Sequence, residues 1–135
     1  MLQYLVAYLI TAAVFLGIDF VWLSRVATKF YADQIGGLLL ETPRFGVAGA
    51  FYAFFVVGIV IFAIAPALRA NSAVTALTLG ALFGFFTYAT YDMTNYATLK
   101  GWSPSVVVVD IAWGTVLTGT SALIGYLGTR MILPA

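Results

Sequence analysis

The sequence predicts an all-α integral membrane protein: a four-helix bundle with an interfacial amphipathic segment between helices 1 and 2. Three observations carry this. Of its 135 residues, 63% are apolar and only 8% charged, and the mean hydropathy is +1.05, a balance that cannot keep a water-facing surface wet. Four apolar runs each reach the roughly 20 residues that a hydrocarbon core demands. A single internal stretch of mixed polarity separates the first two.

The first run, residues 2–23, lacks the positively charged start of a secretory signal and is expected to be a retained helix. Residues 24–44, "SRVATKFYADQIGGLLLETPR", follow. They hold Arg25, Lys29, Asp33, Glu41 and Arg44, with Val26, Phe30, Ile35 and Leu38 to Leu40 available to lipid and Gly36 and Gly37 as interruptions. We expect a linker on the membrane surface there; a lid over a site is the sharper alternative. The second run, residues 45–65, is followed by "APALRANS", where Pro66 is expected to end the helix and Ser72 to cap the next. The third run covers residues 73–99, and "KGWSP" turns the chain into the fourth, residues 104–133, with Ser103 as cap. Short connections imply antiparallel neighbours, so residues 1–135 form one transmembrane domain. Basic residues number four on the side of the first and third connections (Arg25, Lys29, Arg44, Lys100) against two opposite (Arg69, Arg130), which places both termini outside the cytoplasm.

Whole classes of chemistry drop out. A net charge of +1 offers no field for nucleic acid. Without cysteine or histidine there is no thiolate, no disulfide and none of the usual ligands for zinc or haem; a carboxylate-only site for magnesium, calcium or manganese stays open in principle, though such ions want several oxygen ligands and water, and neither cofactor nor metal is expected.

What stands out is where the acids fall. Asp19 lies four residues before Leu23, Asp92 seven before Leu99 and Asp110 six after Pro104, each roughly 6–10 Å in from one end at about 1.5 Å per residue. Helices 1 and 3 exit and helix 4 enters on the same side. Three of the five acidic residues therefore share a layer. Helical spacing sharpens this: Tyr88, Asp92 and Asn95 recur at i, i+4 and i+7, with Tyr91 alongside. Helix 1 offers Tyr4, Tyr8, Phe15, Asp19 and Trp22 as its matching stripe, and helix 4 offers Asp110, Trp113, Gly114, Thr118 and Ser121. Small faces for close packing are Gly80 with Gly84, and Gly46 with Gly49 and Ala53.

An ionised Asp turned to lipid costs about 2.5 kcal/mol or more toward the bilayer centre, so the carboxyls are expected to face the bundle interior. All basic residues lie at or beyond helix ends, from which only Arg25, Lys29 or Lys100 could reach inward. Asp19, Asp92, Asn95, Asp110, Tyr88, Tyr91, Trp113 and Trp22 thus make the candidate binding set. Two bland readings accompany it: the polar residues only fix the bundle's register, and Trp22, Trp102, Tyr31 and Tyr126 belong to interfacial belts. Thr87, Thr90, Thr94 and Thr98 are expected to bond back to their own helix.

The blocks "IDFVWLSRVATKFY" (18–31), "YATYDMTNYATLKGW" (88–102) and "VVDIAWGT" (108–115) together resemble the bacterial four-helix membrane proteins grouped as domain of unknown function family 2177, over nearly the whole chain. That resemblance implies a multi-pass protein of the bacterial inner membrane. It also implies a link to lipid modification, since genes of such proteins often lie beside fatty-acyl-modifying methyltransferases and flavin oxidoreductases. It implies no catalytic residues.

Three functions stay open. One is an acidic and aromatic pocket that binds or processes a small amphipathic or lipid-like molecule; processing would need one carboxyl as acid and another as base. The second is a noncatalytic subunit of a larger membrane complex, with membrane-protein partners or further copies of itself. The third is a small proton-coupled transporter, which would work as an oligomer, for instance through Gly80 and Gly84. No nucleophile elbow or phosphate loop identifies an enzyme.

Overall fold

A backbone surrounded by lipid must satisfy its own N–H and C=O groups, which leaves helices as the outcome for apolar runs of this length. Four such helices form in the computed structural model, which describes residues 1–135: α1 (Leu2–Leu38), α2 (Phe45–Ala70), α3 (Ala73–Thr98) and α4 (Pro104–Ile132), each long and apolar enough to cross a membrane.

The segment expected to be a separate interfacial linker, residues 24–44, divides differently. Helix α1 passes through one wide π turn at Leu23–Ala27, continues as α-helix over Thr28–Ile35 and closes in a 3-10 turn at Gly36–Leu38. Only the stretch between Leu38 and Phe45 is a non-helical connection. Residues around the wide turn keep helical dihedrals, and the hydroxyls of Ser24 and Thr28 donate to carbonyls one turn back, so the polar side chains here are satisfied within the helix and do not end it. Two contacts hold the continuation to the start of α4: Tyr31 Oη donates to Asp110 Oδ1 at 2.7 Å, and Ser103 Oγ donates to Gln34 Oε1 at 2.6 Å. Val26 and Leu38 to Leu40 stay exposed.

Helix α2 also outruns its expected end. Pro66 lies inside it, just after a π turn at Val60–Ile64. Proline brings no N–H and crowds the carbonyl four residues back, and a locally widened turn relieves both. The helix ends instead at Asn71, which takes the left-handed conformation with φ 51°. The N–H of Ser72 reaches the Ala67 carbonyl at 3.1 Å, the six-to-one closure of a Schellman cap. Ser72 then caps α3 by accepting from the Thr75 N–H at 3.2 Å. In the same way Ser103 caps α4, with Pro104 as its first residue and Gly101 at φ 78° making the turn before it. Both serine caps stand where the sequence puts them.

Close packing is concentrated away from the acids. Phe15, Val56, Ile59, Ile64, Leu117 and Ala122 belong to one buried cluster. Helices α3 and α4 meet most intimately, since a Cβ on Gly80 would fall 2.6 Å from the Ala122 Cβ, and one on Gly84 would run into the Gly114 carbonyl and Thr118. Gly80 and Gly84 thus form an internal seam with α4 and are not free for contact between copies. By contrast Gly46 and Gly49 face open space, contrary to the expected packing face on α2. No residue from Phe45 to Phe54 is buried, so the first half of α2 stands loosely against the bundle at the end where the acids lie.

Candidate functional site

Helix periodicity turns Asp19, Asp92 and Asp110 inward from three helices. Asp92 is wholly buried and Asp19 nearly so, while Asp110 is half-buried. The Asp92 carboxyl lies beside that of Asp110, and Asp110 in turn neighbours Asp19. These are three members of one layer, as the depth argument predicts. They do not close on a single point, for no group of three acidic side chains is placed to hold a metal ion.

Two of the three carboxyls have donors. Asp19 accepts from Trp113 Nε1 at 3.2 Å and also faces the Tyr52 phenol. Asp110 accepts from Tyr31. No N–H or hydroxyl donates to either oxygen of Asp92; the polar group beside it is the Asp110 carboxyl, at hydrogen-bond range. Arg25, Lys29 and Lys100, the cations within possible reach, are all exposed and none is among the groups acting on Asp19 or Asp92.

Aromatic rings enclose the layer. Trp22 stacks on Trp113 with centroids 4.3 Å apart and planes 10° from parallel, so Trp22 belongs to the layer and is not merely a belt residue. Its Nε1 is buried without a partner. Tyr88 lies across Gly114, where any Cβ would enter its ring, and packs edge-on to Phe55 at 6.3 Å. Tyr91 is exposed and meets Trp102 edge-on at 5.6 Å; Asn95 sits next to it, half-buried. Tyr91 and Asn95 therefore flank the layer and do not complete it. Along the outer side of α3, Thr87, Thr90, Thr94 and Thr98 all donate to carbonyls four residues back.

Two tyrosines enter that sequence reading assigned elsewhere or passed over. Tyr31, expected in an interfacial belt, turns its hydroxyl onto Asp110; its spacing from helix 1 carries no signal once residues 24–44 are taken as a linker. Tyr52 sits in a run of alternating aromatics, "FYAFF", where nothing distinguishes one ring from the next. Beside the layer an open groove of about 680 Å³ runs between α1 and α4, bounded by Val14, Gly17, Ile18, Val21, Trp22 and Trp113 among others. Its walls are almost entirely apolar and none of the three acids lines it; Trp113, which bonds Asp19, and Trp22 form its boundary toward the layer.

A family model described as "Predicted membrane protein (DUF2177)" matches residues 4–127. The chain belongs to the DUF2177 family. No curated protein and no solved structure matches it. The matched region of this DUF2177 member spans Asp19, Asp92 and Asp110 together with every ring just described. It is a multi-pass membrane protein, and a lipid bilayer is its environment.

Proposed function

We propose that the carboxyl layer lies inside the membrane and is the polar end of a binding site for a small amphipathic or lipid-like molecule, whose apolar body rests along the Trp22–Trp113 groove. One observation carries this reading: Asp92 is fully buried, no N–H or hydroxyl donates to its oxygens, and the group beside it is a second carboxyl, Asp110. Leaving such a group unsatisfied costs about 1–3 kcal/mol, a cost that a purely structural polar layer has no reason to keep. A bound polar head would remove it. Support also comes from Tyr31, which lets the end of α1 act as a cover over Asp110; the lid alternative is thereby favoured over the plain linker.

A second reading, a subunit of a larger assembly, draws on the first half of α2, where Phe45, Val47, Phe51 and Phe54 are all exposed. Transport by a dimer joined through Gly80 and Gly84 is disfavoured, because that seam is occupied by α4. Mass spectrometry of the gently purified protein decides among these. A retained lipid-like molecule that is lost from Asp92→Asn and Asp110→Asn supports the site. A stoichiometric protein partner, with no retained molecule, supports the subunit.

A further inference from the structure

Access to the carboxyl layer depends on which wall of the bundle can move. Two apolar grooves open on its sides, of about 680 Å³ between α1 and α4 and about 620 Å³ between α3 and α4, and none of the three acids lines either. The α3–α4 wall is fixed, because a Cβ at Gly84 would run into Thr118 and one at Gly114 into the Tyr88 ring, and a seam packed that closely does not part without moving both helices. Another stretch has the opposite character. From residue 28 to residue 54, through the end of α1, the connection and the first half of α2, Ile35 is the only buried residue.

Bending points bound this stretch. Leu23–Ala27 is a wide π turn at the foot of the α1 arm; in α2 burial resumes at Phe55 and Val56, and a second wide turn, Val60–Ile64, lies just beyond. Helices bend at such turns. At the first, the Ser24 hydroxyl holds the Phe20 carbonyl and the Thr28 hydroxyl that of Leu23, so the turn can flex without leaving those acceptors bare. The ties that fasten the stretch to the bundle are polar and few. Tyr31 in one arm donates to Asp110 at 2.7 Å, the Tyr52 phenol in the other faces Asp19 within hydrogen-bond range, and Gln34 accepts from Ser103 at 2.6 Å. Each arm therefore sets one phenol on one acid of the layer. Only residues 39–44 join the arms, so neither can swing far alone.

We propose that residues 28–54 are a flap whose two arms move together, hinged at Leu23–Ala27 and latched by Tyr31 and Tyr52, and that lifting it opens the carboxyl layer on the loop side. The movement does not depend on what the layer binds; its role as the way in rests on the reading of the layer as a ligand site. The chain has no cysteine, so spin labels can be placed in pairs in the full chain, in phosphatidylcholine nanodiscs, with none to remove. Ala32→Cys and Val47→Cys, at exposed positions on the two arms, are each paired with Thr98→Cys at the exposed end of α3, and Val74→Cys with Val108→Cys reports on the bundle itself. Double electron resonance should give one distance for the bundle pair and, for each arm, a main short distance with a minor long one. Tyr31→Phe should raise the long population about fivefold on both arms alike, and so should Tyr52→Phe. A response confined to the arm that carries the substitution, or one fixed distance throughout, overturns the flap. Should a phenol variant disturb the bundle pair, Gln34→Ala decides instead, since it cuts the third tie from an exposed side chain: it must raise the long population on both arms. A flap that does not move, with a molecule still retained on purification, overturns this inference and leaves the site standing; a flap that moves, with nothing retained, overturns the site alone.

Discussion

Trp113 and Asp19 are separated by 94 residues, and the indole N–H of the first donates to the carboxyl of the second at 3.2 Å. Helices α1 and α4 are thus tied at the depth of the acids by a bond from a side chain that also stacks on Trp22. Trp113→Phe keeps a ring for stacking and removes only the donor. The nearly buried Asp19 then retains Tyr52 alone. We expect a loss of about 1–2 kcal/mol in stability, read from unfolding in mixed micelles of increasing denaturing-detergent fraction. An unchanged transition would show that the bond contributes nothing.

The glycines separate two kinds of close approach in one experiment. A Cβ at Gly114 enters the Tyr88 ring, and one at Gly84 collides with backbone and Thr118, whereas Gly46 and Gly49 have nothing within 4 Å. Gly114→Ala and Gly84→Ala should each lose about 2 kcal/mol or more, because a packed core cannot absorb the volume without moving a helix. Gly46→Ala and Gly49→Ala should stay within about 0.5 kcal/mol. Comparable losses at all four would contradict this packing.

Tyr31→Phe tests the end of α1 as a cover. With its hydroxyl gone, the Thr28–Ile35 helix keeps the Gln34–Ser103 bond as its one remaining side-chain hydrogen bond to the start of α4. Amide exchange over residues 28–35 should quicken several-fold, as expected for about 1 kcal/mol less local stability, while residues 7–15 in the buried cluster remain protected. Uniform acceleration along α1 would mean that Tyr31 supports the whole helix and not a separable cover.

Why the sequence reveals some of this and hides the rest follows from what each feature depends on. Spanning helices and the serine caps depend on local composition and on residues one turn apart, so Ser72 and Ser103 are readable directly. The shared depth of Asp19, Asp92 and Asp110 needs only the rise per residue and the alternation of direction between helices. The ends of α1 and α2 are harder. At Leu23–Ala27 and Val60–Ile64 a wide turn lets the helix continue past polar residues and past Pro66, and no local pattern distinguishes that from a stop. Tyr31 and Tyr52 are found only through tertiary contact: which ring of "FYAFF" turns to Asp19 depends on how α2 is rotated, and a helix apolar on every side does not encode its rotation.

Asp92→Asn separates the proposed site from a merely structural polar layer most sharply. If Asp92 fixed the register of the bundle, removing its carboxyl would destabilise the fold as truncating any bonded buried group does. No N–H or hydroxyl donates to its oxygens, and the isosteric amide can itself donate to the neighbouring Asp110 carboxyl. Stability should be unchanged or rise by about 1 kcal/mol, while the retained molecule is lost, the trade expected where a functional group is kept at the expense of the fold. Asp19→Asn gives the contrast, since Trp113 donates to that carboxyl and a weaker acceptor there should lower stability. Both variants measured by the same unfolding assay decide the matter: a destabilised Asp92→Asn that still retains its molecule would assign Asp92 to the architecture of the bundle and not to its function.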